Sequence, residues 1–388
     1  MAQDSRNMTN RSHGKGPRIL FFSGGTALKD TSRELLKYTH NSIHLVTPFD
    51  SGGSSATLRR AFAMPAVGDL RSRLMALAEE GRTGNPEIYT LFAYRLSATD
   101  PLNALRRELA SLARGSHPLI RQIPLPMRSI IRDHLAWFFK HGPKEFPLQG
   151  ASVGNLLLAS GYLQSRRRLG PVLTLYSRMV SARGLVRPIV DKSAHLAVQL
   201  ASGEIIVGQH HFTGKNRNGE TASITSPIQR IWLTRNENSS QSFTLRISRH
   251  TFRLINGADA LCFPIGSFYS SVVANLLPKG VGRAVAENNG PKIFIPNLGS
   301  DPELFGHSVK MQVEKLLETL QNDAPEMKPN QFLTTVLCDP EKGQYPGGIP
   351  FDWLARQGID ITAAPLITGG STPLAHPRQL AAALASLF

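Results

Sequence analysis

The chain has 388 residues, 41% of them hydrophobic and 19% charged, which describes one large or two medium globular domains with a sizeable core. No run approaches the roughly 18 consecutive apolar residues of a membrane span. The two distant cysteines, Cys262 and Cys338, exclude a disulfide framework and a CxxC zinc site and point to a reducing cytoplasm. A net charge of +16 draws polyanions, whether nucleic acid, anionic lipid or phosphorylated metabolites.

Met1 to Arg18 is polar and basic, without the apolar core of a secretory signal, and residues 1–17 read as a disordered tail. Order begins at Arg18-Ile19-Leu20-Phe21-Phe22, a buried strand that ends in Ser23-Gly24-Gly25-Thr26-Ala27. A helical pattern carrying Leu28, Leu35, Leu36 and Tyr38 follows. Ser42 to Val46 is a second strand, ending in Asp50-Ser51-Gly52-Gly53-Ser54-Ser55, and a helix resumes at Leu58. Strand, glycine loop, helix, strand is the grammar of a parallel α/β sheet.

Residues 101–254 read as a mainly helical insertion. Leucines at 102, 105, 109 and 112 follow Asp100-Pro101 at helical spacing; Ile130–Lys140 and Ser152–Ser165 are further helices. Between Pro101 and Val190, 14 Lys/Arg face 3 Asp/Glu, so most of the excess charge sits there as a solvated basic face or a polyanion surface. No helix-turn-helix, finger spacing or RNP-like strand is present, which disfavours a nucleic-acid reader. Leu196–Leu200 and Ile205–Val207 form a β-hairpin across Gly203-Glu204, and Gly214–Ser226 is an exposed loop. The α/β grammar then returns. Ala260–Phe263 runs into Pro264-Ile265-Gly266-Ser267 and a helix over Tyr269–Leu277. Lys292–Ile295 runs into Asn297-Leu298-Gly299, and Thr334–Leu337 is read as the last strand. The whole is a doubly wound, mostly parallel, Rossmann-like sheet, with residues 18–100 and 255–388 as its core.

In such sheets the ligand lies beyond the carboxyl ends of the strands. Four of these ends carry Gly, Ser, Asn or Asp, residues whose backbone N–H groups cradle phosphate. No loop has the GxxxxGK[ST] or GxGxxG spacing, so a P-loop NTPase and a standard NAD dehydrogenase are disfavoured.

Ser23-Gly24-Gly25-Thr26, Asp50-Ser51-Gly52-Gly53-Ser54-Ser55, Gly68-Asp69-Leu70-Arg71, Gly266-Ser267-Phe268-Tyr269-Ser270-Ser271 and Asn297-Leu298 stand in the order typical of one family. Leu91 to Arg95 and Gly150-Ala151-Ser152-Val153-Gly154-Asn155 add two more blocks. The chain resembles the CofD-like superfamily, which holds the 2-phospho-L-lactate transferases and the YvcK-type proteins that bind UDP-sugars. The resemblance implies a nucleotide-activated or phosphorylated small molecule, a divalent metal such as Mg²⁺, and a homodimer. It also implies either a metal-assisted transferase or, as the alternative, a nucleotide-sugar sensor without turnover.

Carried onto this sequence, Asp50 is the carboxylate for the metal, Asp69 the second acid or a helix cap, and Arg71 the group that neutralises phosphate. Gly24, Gly25, Thr26, Gly52, Gly53, Ser54, Ser55, Gly266, Ser267, Tyr269 and Ser270 make the phosphate and nucleotide loops, with Asn155 and Asn297 as hydrogen-bonding partners. Three positions depart from the pattern. Ser51 stands where a second Asp is usual, Ala27 where a Gly closes the first loop, and Ala151 where a His precedes the Val-Gly-Asn block. These changes make the chain a divergent member and weaken a charged metal site. His210-His211 reads as a solvent-exposed pair, Arg166-Arg167-Arg168 as a solvated helix end and Cys262 as core.

Overall fold

Buried apolar runs become the strands of one large sheet. Residues 16–79, 84–213 and 224–388 are described in the computed structural model. Most of the expected 1–17 tail and of the 214–226 loop therefore lies outside the described residues. In chain order the strands are β1 (Ile19–Ser23), β2 (Ile43–Val46), β3 (Leu185–Pro188), β4 (His195–Leu200), β5 (Ile205–Val207), β6 (Ile228–Thr234), β7 (Ala260–Phe263), β8 (Lys292–Phe294), β9 (Thr335–Cys338) and β10 (Asp360–Ala363).

Seven strands form a parallel sheet in the order β10-β9-β8-β7-β1-β2-β3. β1 is its pivot, with Leu20 opposite Ile43 on one side and Leu261 on the other. The chain winds outward from β1 through β2 to β3, returns to β7, and then winds the other way. The strand order thus reverses between β1 and β7, where open α/β sheets hold their ligands.

β1 is buried along its length because both faces are covered. Leu20 and Phe22 join a core with Leu196, Ile231 and Val313, while Ile19 and Phe21 face Leu35 and Leu380 of the helices Lys29–Leu35 and Pro377–Ala385. Phe22 stacks on Phe263 of β7 at 5.2 Å between ring centroids, and each such side chain stabilises by about 1.5–3 kcal/mol. Cys262 lies in this core, where burial pushes its thiol pKa up.

The helices between β2 and β3 gather a separate apolar cluster. At its centre runs Val153–Gln164, with every residue from Val153 to Tyr162 buried, which explains its continuous leucine run. Ser152 caps it, its hydroxyl accepting from the Asn155 N–H. Pro101 takes the cap position before the helix Leu102–Arg114.

Three outcomes differ from the sequence reading. β3 belongs to the large sheet, so the chain within 101–254 supplies one of its strands. β10 extends the sheet past Thr335–Cys338, which therefore is not the last strand. The expected hairpin forms as β4 and β5, but β6 joins it in an antiparallel sheet of order β5-β4-β6.

Candidate functional site

Two clefts open at the strand ends on either side of the Gly266–Ser267 loop. The smaller, about 290 Å³, is lined by Gly25, Thr26, Asp50, Gly52 to Ser55, Asp69, Arg71 and Asn155. The larger, about 620 Å³, lies between the loops after β7 and β8 and the 370–377 segment. Ser267 lines both.

The loop after β1 approaches the end of the 266–271 block so closely that Gly24 admits no side chain: a Cβ there would sit 2.2 Å from the Ser271 hydroxyl. The Gly25 N–H donates to the Asp69 carboxylate at 2.8 Å. Asp69 lies in the first turn of the helix Gly68–Leu77 and does not cap it; it tethers the β1 loop instead. Arg73, buried one turn further on, donates to the Ser32 hydroxyl at 2.6 Å and to the Gly24 carbonyl at 3.1 Å. Burial lowers its pKa to about 10, with Asp69 acting against that, so it stays charged at neutral pH.

The loop after β2 is held from beneath. Buried Arg59 donates to the carbonyls of Phe49 and Asp50 at 2.8 Å and of Ala194 at 2.5 Å, which fastens the loop to the small sheet. The Asp50 carboxylate accepts from the Gly52 N–H at 3.0 Å. Gly52 stands at the cap of the helix Gly53–Phe62 and supplies no side-chain acceptor. The first-turn N–H groups of Gly53, Ser54 and Ser55 are thus the orphan donors of a helix start, bordering the cleft.

Ser51 points the other way. Its hydroxyl meets His210 Nδ1 at 2.9 Å and accepts from the His210 N–H at 3.1 Å. His210 sits in the short turn Gln209–His211 that follows β5, so the small sheet is pinned onto this loop. The expected exposed histidine pair is corrected here: His211 is exposed, but His210 is half-buried and lines the cleft.

Arg71 crosses the floor, donating from Nε to Asn155 Oδ1 at 2.9 Å and from Nη1 to the Phe92 carbonyl at 3.1 Å. Burial lowers its pKa to about 10, reinforced by nearby Arg95 and opposed by Asp69. Asn155 in turn donates to the Ser54 hydroxyl at 2.9 Å. The blocks around 54, 71, 92 and 155 are therefore one hydrogen-bonded unit.

Gly266 adopts φ +137°, open to glycine, and its N–H donates to Asn297 Oδ1 at 2.9 Å. Asn297 returns a bond to the Gly266 carbonyl at 2.7 Å, so it shapes this loop. Tyr269 and Ser270 do not reach the clefts. The chain enters a π-helical turn at Phe268–Val273, which sends both side chains inward. The Tyr269 hydroxyl donates to the Ile228 carbonyl at 3.0 Å, and the Ser270 N–H and hydroxyl bond buried Glu303 at 2.8 and 2.5 Å. Ala27 lines the larger cleft, and Ala151 is buried beneath the 96–97 segment. Arg167 donates to the carbonyls of Phe62 and Ala63, closing the end of a helix.

Sequence reasoning missed Arg59, Arg73, Arg95, Gln209 and Ser271. Of these only Arg95 and Ser271 carried a signal, their places in the 91–95 and 266–271 blocks. Among the described residues no three His, Cys, Asp or Glu side chains gather as a metal-holding group. Nor does any described helix have the length and apolarity to cross a membrane.

A seven-stranded, doubly wound parallel sheet with glycine-bearing loops at its switch point defines a Rossmann-like α/β protein. The family model for 2-phospho-L-lactate transferase CofD matches residues 19–348, and the chain belongs to that family. The gluconeogenesis factor of Bacillus subtilis is 24% identical over 383 residues, covering 96% of this chain and 98% of that one. A putative gluconeogenesis factor of Deinococcus radiodurans is 26% identical, covering 96% of this chain and 66% of its own. Another from Clostridium acetobutylicum is 26% identical over 74% of this chain, which spans about 50% of its length. The crystal structure of a UPF0052 family member from Bacillus halodurans has the same fold, with a TM-score of 0.68 at 21% identity over 95% of this chain and 99% of that one.

Proposed function

We propose that the protein binds a nucleotide-linked or phosphorylated small molecule in the strand-end cleft and acts as a ligand-responsive factor of the YvcK type. The observation that carries this reading is the Ser51–His210 pair. Where the family pattern has a second carboxylate, this chain has a hydroxyl committed to the small sheet. The cleft keeps its anion-binding parts, namely the first-turn N–H groups of Gly53 to Ser55 and the Arg71 guanidinium. Phosphate oxygens lie against those groups, while the body of the ligand extends past Ser267 into the larger cleft. The names of the bacterial relatives, which describe factors, support the same reading.

Transfer is the second reading, favoured by Asp50 and Asp69 both bordering the cleft. A Mg²⁺ here would rest on Asp50, with the ligand's phosphates and water completing its shell, a mode this ion accepts. It would neutralise charge on the phosphoryl oxygens.

A thermal-shift panel of nucleotides and nucleotide-sugars, with and without Mg²⁺, separates the readings. Stabilisation by UDP-glucose that is indifferent to Mg²⁺ is the expected result. A shift seen only with a guanine nucleotide and Mg²⁺ would transfer the assignment to the second reading, and silence across the panel would remove both.

A further inference from the structure

A third cleft, of about 530 Å³, opens between the 246–253 and 279–283 segments and shares no lining residue with the strand-end clefts. Five cations line it: Arg246, Arg249, Arg253, Lys279 and Arg283. Arg249 and Arg253 stand four apart on the helix Arg249–Asn256, and so share a face. The two segments are tied together by backbone bonds, Ile247 N–H to the Lys279 carbonyl at 3.0 Å and Lys279 N–H to the Leu245 carbonyl at 2.8 Å. That pairing fixes Arg246 beside Lys279.

The lining holds one carboxylate, Asp323, and it is committed: it accepts from the Gly280 and Arg283 N–H groups at 2.7 and 3.2 Å. Arg283 itself turns to Glu326 at 2.6 Å. Among the described residues the side chains of Arg246, Arg249, Arg253 and Lys279 have no hydrogen-bonding or ion-pair partner. Four uncompensated cations around one concavity repel one another, and a polyanion relieves that repulsion while supplying acceptors for guanidinium forks. Ile247 and Phe252 add an apolar wall on which an organic body can rest. The volume suits a small molecule.

We propose that this basic cleft is a second ligand site that takes a small organic phosphate. Its occupant contacts both the helix before β7 and the segment that follows the π-helical turn, and both elements lead to the loop dividing the strand-end clefts.

Titration calorimetry with inorganic pyrophosphate tests this on the full chain, comparing wild type, Arg249→Ala/Arg253→Ala and Arg71→Ala. The expected result is a binding event kept by Arg71→Ala and weakened about tenfold or more in the double variant, since two charge-assisted contacts are lost. An isotherm unchanged in the double variant, or no binding to any of the three proteins, overturns the proposal. Loss of binding in Arg71→Ala alone, with the double variant unchanged, would place pyrophosphate in the strand-end cleft and overturn this proposal. Arg249, Arg253 and Lys279 are all exposed; Lys279→Ala serves as the second variant should the pair melt early, with the same expectation in direction. Phenyl phosphate should bind more tightly than inorganic phosphate, and equal affinities would refute the apolar wall.

Discussion

Gly24→Ala perturbs the closest approach in the site. The new methyl would lie 2.2 Å from the Ser271 hydroxyl oxygen and 2.7 Å from its Cβ. Neither side yields easily, because buried Asn275 donates to the carbonyls of both Ser23 and Ser271 at 2.9 Å and clamps the two segments together. Overpacking of this kind costs about 1–3 kcal/mol, and at roughly 2.1 cal/mol/K of unfolding entropy per residue each kcal/mol lowers the melting temperature of a chain this long by about 1 °C. The variant should therefore melt about 1–4 °C early and lose about 1–3 kcal/mol in urea melts. Ser271→Gly removes both clashing atoms and leaves only the Ser271 Cα, 3.4 Å away. Alone it should cost roughly 0.5–1 kcal/mol as a glycine in a helical turn. Combined with Gly24→Ala it should restore most of the loss, a coupling that a double-mutant cycle in thermal or urea melts reads directly. If Gly24→Ala matches wild type in its urea midpoint, or if Ser271→Gly gives no rescue, the two loops do not meet as described.

Arg71→Ala should weaken binding of UDP-glucose about 10- to 100-fold, the loss of one charge-assisted hydrogen bond to phosphate, with calorimetry as the readout and unchanged affinity as the refutation. Ser51→Asp returns a second carboxylate beside Asp50 and breaks the contact with His210; ligand binding should become Mg²⁺-dependent in this variant and stay indifferent in wild type. Glu303 offers a pH signature, since burial and neighbouring Asp301 raise its pKa to about 8. The folded state then holds a proton that the unfolded chain releases near pH 4.5, so its stability contribution is full below that pH and fades as pH rises towards 8. Glu303→Gln should flatten this part of the melting-temperature profile between about pH 5 and 8; an unaltered slope would show Glu303 is not the group responsible.

The parallel strands next to β1 were legible because a doubly covered strand must be apolar throughout, as Ile19–Phe22 and Ala260–Phe263 are. β10 escaped because it is an edge strand, half-exposed, reading Asp-Ile-Thr-Ala with no apolar run. β3 was hidden by its own residues, since Leu-Val-Arg-Pro carries a charge and a proline. Within the site, the loop blocks were visible as motifs, yet their internal directions were not. Tyr269 and Ser270 share a block with Ser267, but the π-helical turn rotates them into the core. Buried Arg59 and Arg73 look like surface cations in sequence, and only their carbonyl partners, far along the chain, identify them as braces. His210 meets Ser51 across 159 positions, a contact no local pattern announces.

The central claim is that phosphate oxygens settle on the backbone N–H groups at the switch point. Amide hydrogen exchange of the full chain at saturating UDP-glucose measures it most directly. The account predicts added protection at Thr26 and Gly53–Ser55 that exceeds any change at 246–253 and 279–283. Protection confined to those basic segments, or none in either loop despite binding, would contradict it.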